Sequence, residues 1–229
     1  MSTLSNKRLI LGVTGGIAAY KSAEVVRRLQ DQGAEVRVVM TPAASEFIRP
    51  LTMQALSGHP VHSNLLDSEA EAGMGHIELA RWADLLLIAP ASADFIANMV
   101  HGRADSLLSA VHLATPAKVA VAPAMNQAMW NHPASLANIA VLRERGVTLI
   151  GPEDGLQACG DIGPGRMEQP DSVVSSVSRL FNTGSLAGKK AVITAGPTRA
   201  ALAPLRYTTN PRPRKIAPAP APPPLEAAR

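Results

Sequence analysis

The chain has 229 residues, 46% of them hydrophobic and only 3% aromatic, with a formal charge of +4 and a pI near 9.6. That length carries one well-packed domain of about 150 to 200 residues plus a remainder, and the balance excludes fibrous and wholly disordered classes. The basic excess is partly local, with Arg199, Arg206, Arg212, Arg214, Lys215 and Arg229 all in the last part, so it does not describe a nucleic-acid surface.

In chain order, the apolar run Leu9, Ile10, Leu11, Val13 reads as a buried strand. Gly15-Gly16 breaks it, and Ala18, Val25, Val26 and Leu29 then recur at helical spacing. Glycines let a backbone approach a ligand, and the free N–H groups of a helix start favour a phosphate. Any α/β protein also needs a glycine to turn from strand to helix, so the motif alone is weak. It lacks the third glycine of the dinucleotide fingerprint and the G-K-[ST] of the P-loop, which favours a mononucleotide such as FMN over NAD or ATP. Gly33 closes the helix, and residues 34–40 form a second strand. It ends in Met40-Thr41-Pro42, without the acidic residue that takes the ribose in NAD-binding domains.

Residues 43–56 are expected to be helical and 57–75 mostly loop. A short amphipathic helix over 75–84 leads into the apolar strand 85–89, closed by Pro90. Helices are expected over 93–100, 105–113 and 133–145, with strands at 118–122 and 147–150. The run 151–170 carries five glycines and three prolines around Cys159, which suggests a functional lid or a disordered segment. A helix over 171–181 closes the domain. The pattern predicts a Rossmann-like three-layer α/β/α fold on an open parallel sheet.

Residues 182–190 read as a linker, and KKAVITAGPT restarts a strand and glycine turn, with Ala191 to Thr194 as the strand. Seven prolines in residues 211–229 predict a disordered tail. No run of 18 apolar residues occurs, the N-terminus has no signal-like segment, and Cys159 is the one cysteine, so no intramolecular disulfide can form. The expectation is a cytoplasmic protein with no membrane, nucleic-acid or metal partner.

Ligands of open parallel sheets sit beyond the carboxyl ends of the strands. Thr14-Gly15-Gly16, Ala91-Ser92 and Ala124-Met125-Asn126 should therefore converge on one crevice. Ser92 and Thr14 offer hydroxyls, while Ala93, Asp94 and Phe95 offer helix-start amides; Ser92 reads equally well as an N-cap. Asn126 is either a turn residue or an uncharged amide for a carboxylate or a flavin edge. His76 stands at a helix start, where a lone histidine is more often structural. Cys159, in a glycine-rich loop, is a candidate for proton transfer.

Together GGIAAYK, GHIELARWADLLLIAPASAD, PAMNQAMW and ACGDIGPGRM resemble the phosphopantothenoylcysteine decarboxylases of the flavin-containing cysteine decarboxylase family. The likeness spans residues 7–181. It implies an FMN-dependent carboxy-lyase of coenzyme A synthesis that converts 4′-phosphopantothenoylcysteine to 4′-phosphopantetheine. In that family FMN oxidises the cysteine moiety to a thioaldehyde, whose adjacent carbon loses CO₂ to give an enethiolate, and the reduced FMN then returns the hydride.

In that pattern His76 serves the oxidative decarboxylation, Asn126 holds the substrate carboxylate, and Cys159 donates a proton during enethiol reduction. FMN lies across Gly15, Gly16, Ile17, Thr41, Ser92, Ala93, Asp94, Phe95 and Ala124. Arg81 meets the substrate phosphate and Met129 the pantothenoyl part. The family implies a homo-oligomer of trimers that can pair into dodecamers, with active sites between subunits.

Two other readings share the fold: a regulatory flavin-binding subunit, against which His76, Asn126 and Cys159 argue together, and a flavin prenyltransferase, against which PAMN and the ACGD loop argue. Residues 189–210 resemble the opening of the phosphopantothenate–cysteine ligase domain of bacterial bifunctional members. The proline-rich continuation implies a truncated remnant without ligase activity.

Overall fold

A computed structural model describes residues 4–65, 75–182, 199–203 and 206–209. The chain divides into two units, Met1–Phe181 and Asn182–Arg229.

In the first unit five short apolar segments form one parallel sheet. They are β1 (Arg8–Val13), β2 (Glu35–Met40), β3 (Leu85–Ala91), β4 (Lys118–Pro123) and β5 (Thr148–Leu149), in the order β2-β1-β3-β4-β5. Helices flank it: α1 (Ala19–Asp31), α2 (Pro50–Ser57), α3 (His76–Trp82), α4 (Ala93–His101), α5 (Leu107–Ala114), α6 (Gln127–Asn131), α7 (Pro133–Glu144) and α8 (Pro170–Leu180). This is the Rossmann-like three-layer α/β/α architecture that the sequence pattern predicts.

Alternation along the strands builds two cores. Leu9, Leu11 and Val13 join Val25, Val26 and Leu29 of α1 and Val173 and Val177 of α8 on one face. Ile10, Leu86 and Ile88 join Phe95, Leu108, Ile139 and Leu142 on the other. Every residue of β3 is buried, as a central parallel strand covered on both faces requires. Each fully buried aliphatic side chain contributes about 1.5–3 kcal/mol. The strand order reverses between β1 and β3, so their carboxyl ends open a crevice for a ligand.

Several expected boundaries shift. The helix expected over residues 43–56 is two pieces, a 3₁₀ turn at Pro42–Glu46 and then α2. Pro50 lacks an amide hydrogen and would clash with the preceding turn of a continuous helix, so it starts a new one. Within the stretch read as loop, His62 pairs with the edge of β2: its amide donates to Val38 O and its carbonyl accepts from Met40 N. Pro90 does not end β3, which continues to Ala91 through an irregular register against β4. The fifth strand is shorter than expected, and α6 has no counterpart in the sequence reading.

The largest departure is in residues 151–170. β6 (Glu153–Leu156) and β7 (Ile162–Arg166) pair there as an antiparallel hairpin. Glycines at 155, 163 and 165 leave too few side chains for an alternating pattern, so a strand here has no hydrophobic signature.

In the second unit Arg199–Ala203 and Arg206–Thr209, β8 and β9, pair antiparallel. The strand expected at 191–194, most of the linker and the proline-rich tail lie outside the described residues. Among the described residues no helix is long and apolar enough to cross a membrane.

Candidate functional site

Two cavities lie at the carboxyl end of the sheet. The first, of about 610 Å³, is lined by Thr14, Gly15, Thr41, Ser92, Ala93, Asp94, Phe95 and Met129, with Asn98, Asp105 and Ser106 beside them. The second, of about 410 Å³, is lined by Gly16, Ile17, Tyr20, Lys21, Asn126, Gln157, Cys159 and Arg166. Ala124 and Met125, just past β4, line both.

The first cavity is framed by caps. Thr14 is buried, its hydroxyl donating to Pro90 O at 2.8 Å and accepting from Ser92 N at 2.9 Å, which ties the ends of β1 and β3 together. Ser92 Oγ accepts from Phe95 N at 3.3 Å, so the N-cap reading of Ser92 holds. Thr41 Oγ1 likewise accepts from Ala44 N. The first amides of a helix lack intrahelical partners, and those of Ala93 and Asp94 open α4 at the cavity.

The two glycines of the first turn do different work. A Cβ on Gly15 would stand 2.6 Å from Ala43 Cβ, whereas one on Gly16 would meet nothing within 4 Å. The close approach at Gly15 is therefore to the Pro42–Glu46 turn and not to a ligand. Gly16 leaves bare backbone on the lip of the second cavity, together with Ile17. The sequence reading put all nine cofactor residues in one cradle; the structure divides them between two adjoining cavities.

The second cavity owes its chemistry to the hairpin. Met125 N donates to Gly165 O at 2.9 Å, and a side chain at Gly165, where φ is +129°, would collide with Met125 O. Only glycine lets β7 come so close to the segment after β4. Gln157 fastens the junction, its Oε1 accepting from Gln127 N at 2.9 Å and from Asn126 Nδ2 at 3.2 Å. Its Nε2 donates to Pro164 O at 3.2 Å.

Asn126 is thereby oriented. Its Oδ1 accepts from Ala128 N at 2.8 Å, making it the N-cap of α6, and its Nδ2 faces Asp161 Oδ2 at 2.9 Å and Cys159 Sγ at 3.2 Å. The Cys159 thiol in turn donates to Asp161 Oδ2 at 3.4 Å. Hydrogen bonds from Asn126, and second from Cys159, hold the Asp161 carboxyl below its ordinary range.

Lys21 is buried in the first turn of α1, where Nζ donates to Met167 O at 2.7 Å. Burial, and next the Arg166 guanidinium, pull its pKa down, against Glu153 and Glu168.

Asn126 and Cys159, 33 positions apart in sequence, are thus brought together. His76 and Arg81 are not with them. Both belong to α3, His76 half-buried and Arg81 exposed, and neither lines either cavity. Met129 lines the first cavity, not the second. Sequence reasoning missed Gln157 and Asp161, whose significance appears only when the hairpin sets them against Asn126. Among the described residues no group of three or more His, Cys, Asp or Glu side chains could hold a metal ion.

Residues 1–182 match the Flavoprotein family model. The bifunctional coenzyme A biosynthesis protein CoaBC of Vibrio vulnificus is 57% identical over 210 residues, which are 92% of this chain and 52% of that protein. Its Escherichia coli counterpart is 54% identical over 209 residues, 91% of this chain and 52% of that one. The chain spans about half the length of these curated relatives.

Among solved structures, a mutant PPC decarboxylase complexed with pantothenoylaminoethenethiol is 35% identical with a TM-score of 0.67, covering 76% of this chain and 97% of that one. The FMN-dependent cysteine decarboxylase SpaF is 32% identical with a TM-score of 0.64, covering 76% and 98%. With a family match over residues 1–182, which takes in the whole first unit, the chain belongs to the flavoprotein family.

Proposed function

We propose that the chain is an FMN-dependent decarboxylase of 4′-phosphopantothenoylcysteine, acting in coenzyme A biosynthesis to give 4′-phosphopantetheine. The observation that carries this reading is the Asn126–Cys159 pair, at 3.2 Å, on the wall of a cavity that adjoins the cap-framed one. The likeness to CoaBC and to PPC decarboxylase supports it. The proposal concerns the decarboxylation alone, since the chain spans half of the bifunctional relatives.

The residues present fit FMN. The bare backbone at Gly16 and the first turn of α1, with Lys21 beside it, favour an anion. The first cavity carries Asp94 and Asp105, which suit hydroxyl groups better than a phosphate. Gly15, Gly16, Ile17, Thr41, Ser92, Ala93, Asp94, Phe95 and Ala124 are the residues assigned to it. When bound, FMN supplies the electron sink that the oxidation of the cysteine moiety needs and returns the hydride afterwards.

The chain's own residues do the rest. Asn126 offers Nδ2 to the substrate carboxylate without adding charge, Met129 packs on the pantothenoyl part, and Cys159 delivers a proton when the enethiol is reduced. His76 moves a proton in the oxidative decarboxylation, and Arg81 meets the phosphate. Because no residue of α3 lines either cavity, these last two assignments call for a site completed by a second subunit. Ile17, Tyr20 and Leu156, which are 66%, 64% and 63% exposed around the second cavity, are the apolar lining that such a subunit would cover. The resemblance to the decarboxylase family makes that assembly a homotrimer-based one.

The test is direct. The purified protein is expected to be yellow, to release FMN on denaturation, and to form CO₂ and 4′-phosphopantetheine from 4′-phosphopantothenoylcysteine. A protein that takes up no FMN, or that holds FMN and leaves this substrate unchanged, refutes the proposal.

The cradle has its own test. Gly15→Val would press on Ala43 and displace the turn that carries Thr41, and overpacking of that kind costs about 1–3 kcal/mol. FMN should bind about tenfold more weakly or worse, as read by fluorescence titration. Gly16→Ala, with open space around it, should fold as the parent does.

A further inference from the structure

Asn126 Nδ2 carries two hydrogens and faces three acceptors: Asp161 Oδ2 at 2.9 Å, Gln157 Oε1 at 3.2 Å and Cys159 Sγ at 3.2 Å. The two oxygens are the better acceptors, so the amide is fully engaged by Gln157 and Asp161. Gln157 is held at four points by the hairpin and the segment after β4. Asp161 is exposed, and its two side-chain partners are Asn126 and the Cys159 thiol. The backbone around it is tied down, with Gln157 N donating to Asp161 O at 2.8 Å and Gly160 N to Gln157 O at 2.9 Å, so the carboxylate leaves by rotation of its own exposed side chain. Of the two partners of Asn126, Asp161 is the one that can leave.

We propose that the Asp161 carboxylate and the carboxylate of an incoming substrate compete for the same Asn126 N–H. The proposal rests on the reading of Asn126 as the residue that holds the substrate carboxylate. For that contact to form, the Asp161–Asn126 bond must break, and a second negative charge must come in beside the first. The charged and titratable groups lining this cavity are Lys21, Arg166, Tyr20 and Cys159, and Lys21 Nζ is already taken up by Met167 O at 2.7 Å.

Once the carboxyl group has left as CO₂, nothing opposes the return of Asp161 to Asn126. That return also restores the acceptor which aims the Cys159 S–H. Asp161 is therefore a positioning residue with two effects. It sets a cost on binding the acid, and no such cost on binding the carboxylate-free product.

The test is calorimetric titration of the full-length FMN-bound protein with two unreactive ligands. One is 4′-phosphopantothenoylserine, which keeps the carboxylate but has no thiol to oxidise; the other is 4′-phosphopantothenoylethanolamine, which lacks both. In Asp161→Asn, which keeps the side-chain shape and a neutral acceptor, the serine ligand should bind about tenfold more tightly, the scale of one charge-assisted hydrogen bond. The ethanolamine ligand should bind as it does to the parent. Asp161→Ala should likewise tighten the serine ligand and leave the ethanolamine ligand as in the parent.

A residue that merely holds the turn would, when changed, weaken both ligands alike. That result, or no change with either ligand, overturns the competition while leaving the proposed function standing. Failure of both ligands to bind even the parent protein overturns the function, and the competition with it.

Discussion

His76→Asn is expected to lower CO₂ release at least about 10²-fold, the smallest loss usual when a positioned acid–base group is removed, while FMN content and the folded sheet remain. The expectation follows from where His76 stands. It opens α3 and lines neither cavity, so its removal leaves the caps at Thr14, Thr41 and Ser92 untouched. The same placement makes a sharper experiment possible.

If each site takes His76 from one subunit and Asn126 with Cys159 from the next, two inactive variants can complement each other. His76→Asn and Cys159→Ala oligomers, dissociated together and reassembled, should then regain about a quarter of the parent sites under random mixing. Sites contained within one subunit would regain none. Loss of flavin in His76→Asn alone would give the histidine a structural task instead.

How much of this was legible in the sequence depends on which physical signal each part leaves. The five parallel strands announce themselves because a strand covered on both faces must be apolar throughout, as Leu85 to Ala89 is. The cap at Ser92 and the glycine turn at Gly15 are local chemistry and are legible for that reason. The hairpin is not, because Gly155, Gly163 and Gly165 are there to admit Arg166, Gln127 and Met125 at close range, and a residue chosen for having no side chain contributes nothing to periodicity. Gln157 and Asp161 follow the same logic: their partners are about 30 positions away and are set by the hairpin's register. His76 shows the opposite limit. Its motif can be read in the sequence, but its absence from the lining of both cavities cannot, since motif spacing along the chain says nothing about where a helix start stands relative to a crevice.

The second large effect is expected at Cys159. Reducing a carbon–carbon double bond adds a hydride to one carbon and a proton to the other, so a variant without the proton donor should complete the first half of the reaction and stop. Cys159→Ala is therefore expected to release CO₂ on its first turnover at close to the parent rate. Its product should be the enethiol, lighter than 4′-phosphopantetheine by two hydrogens in a mass spectrum. The saturated product should form about 10²- to 10⁴-fold more slowly, the range for general acid catalysis. The geometry favours this division of labour. The thiol is exposed and donates to Asp161, so after giving up its proton it can take another from water without any movement of the hairpin. Asn126 keeps Asp161 and Gln157 as partners when the thiol is gone, so the substrate carboxylate should still find its amide in place. Cys159→Ala should accordingly leave the affinity for the serine ligand within about twofold of the parent, a difference of about 0.4 kcal/mol. Normal formation of 4′-phosphopantetheine by the variant would remove Cys159 from the mechanism. A parallel loss of CO₂ release would mean that the thiol acts before the carboxyl group leaves, not after.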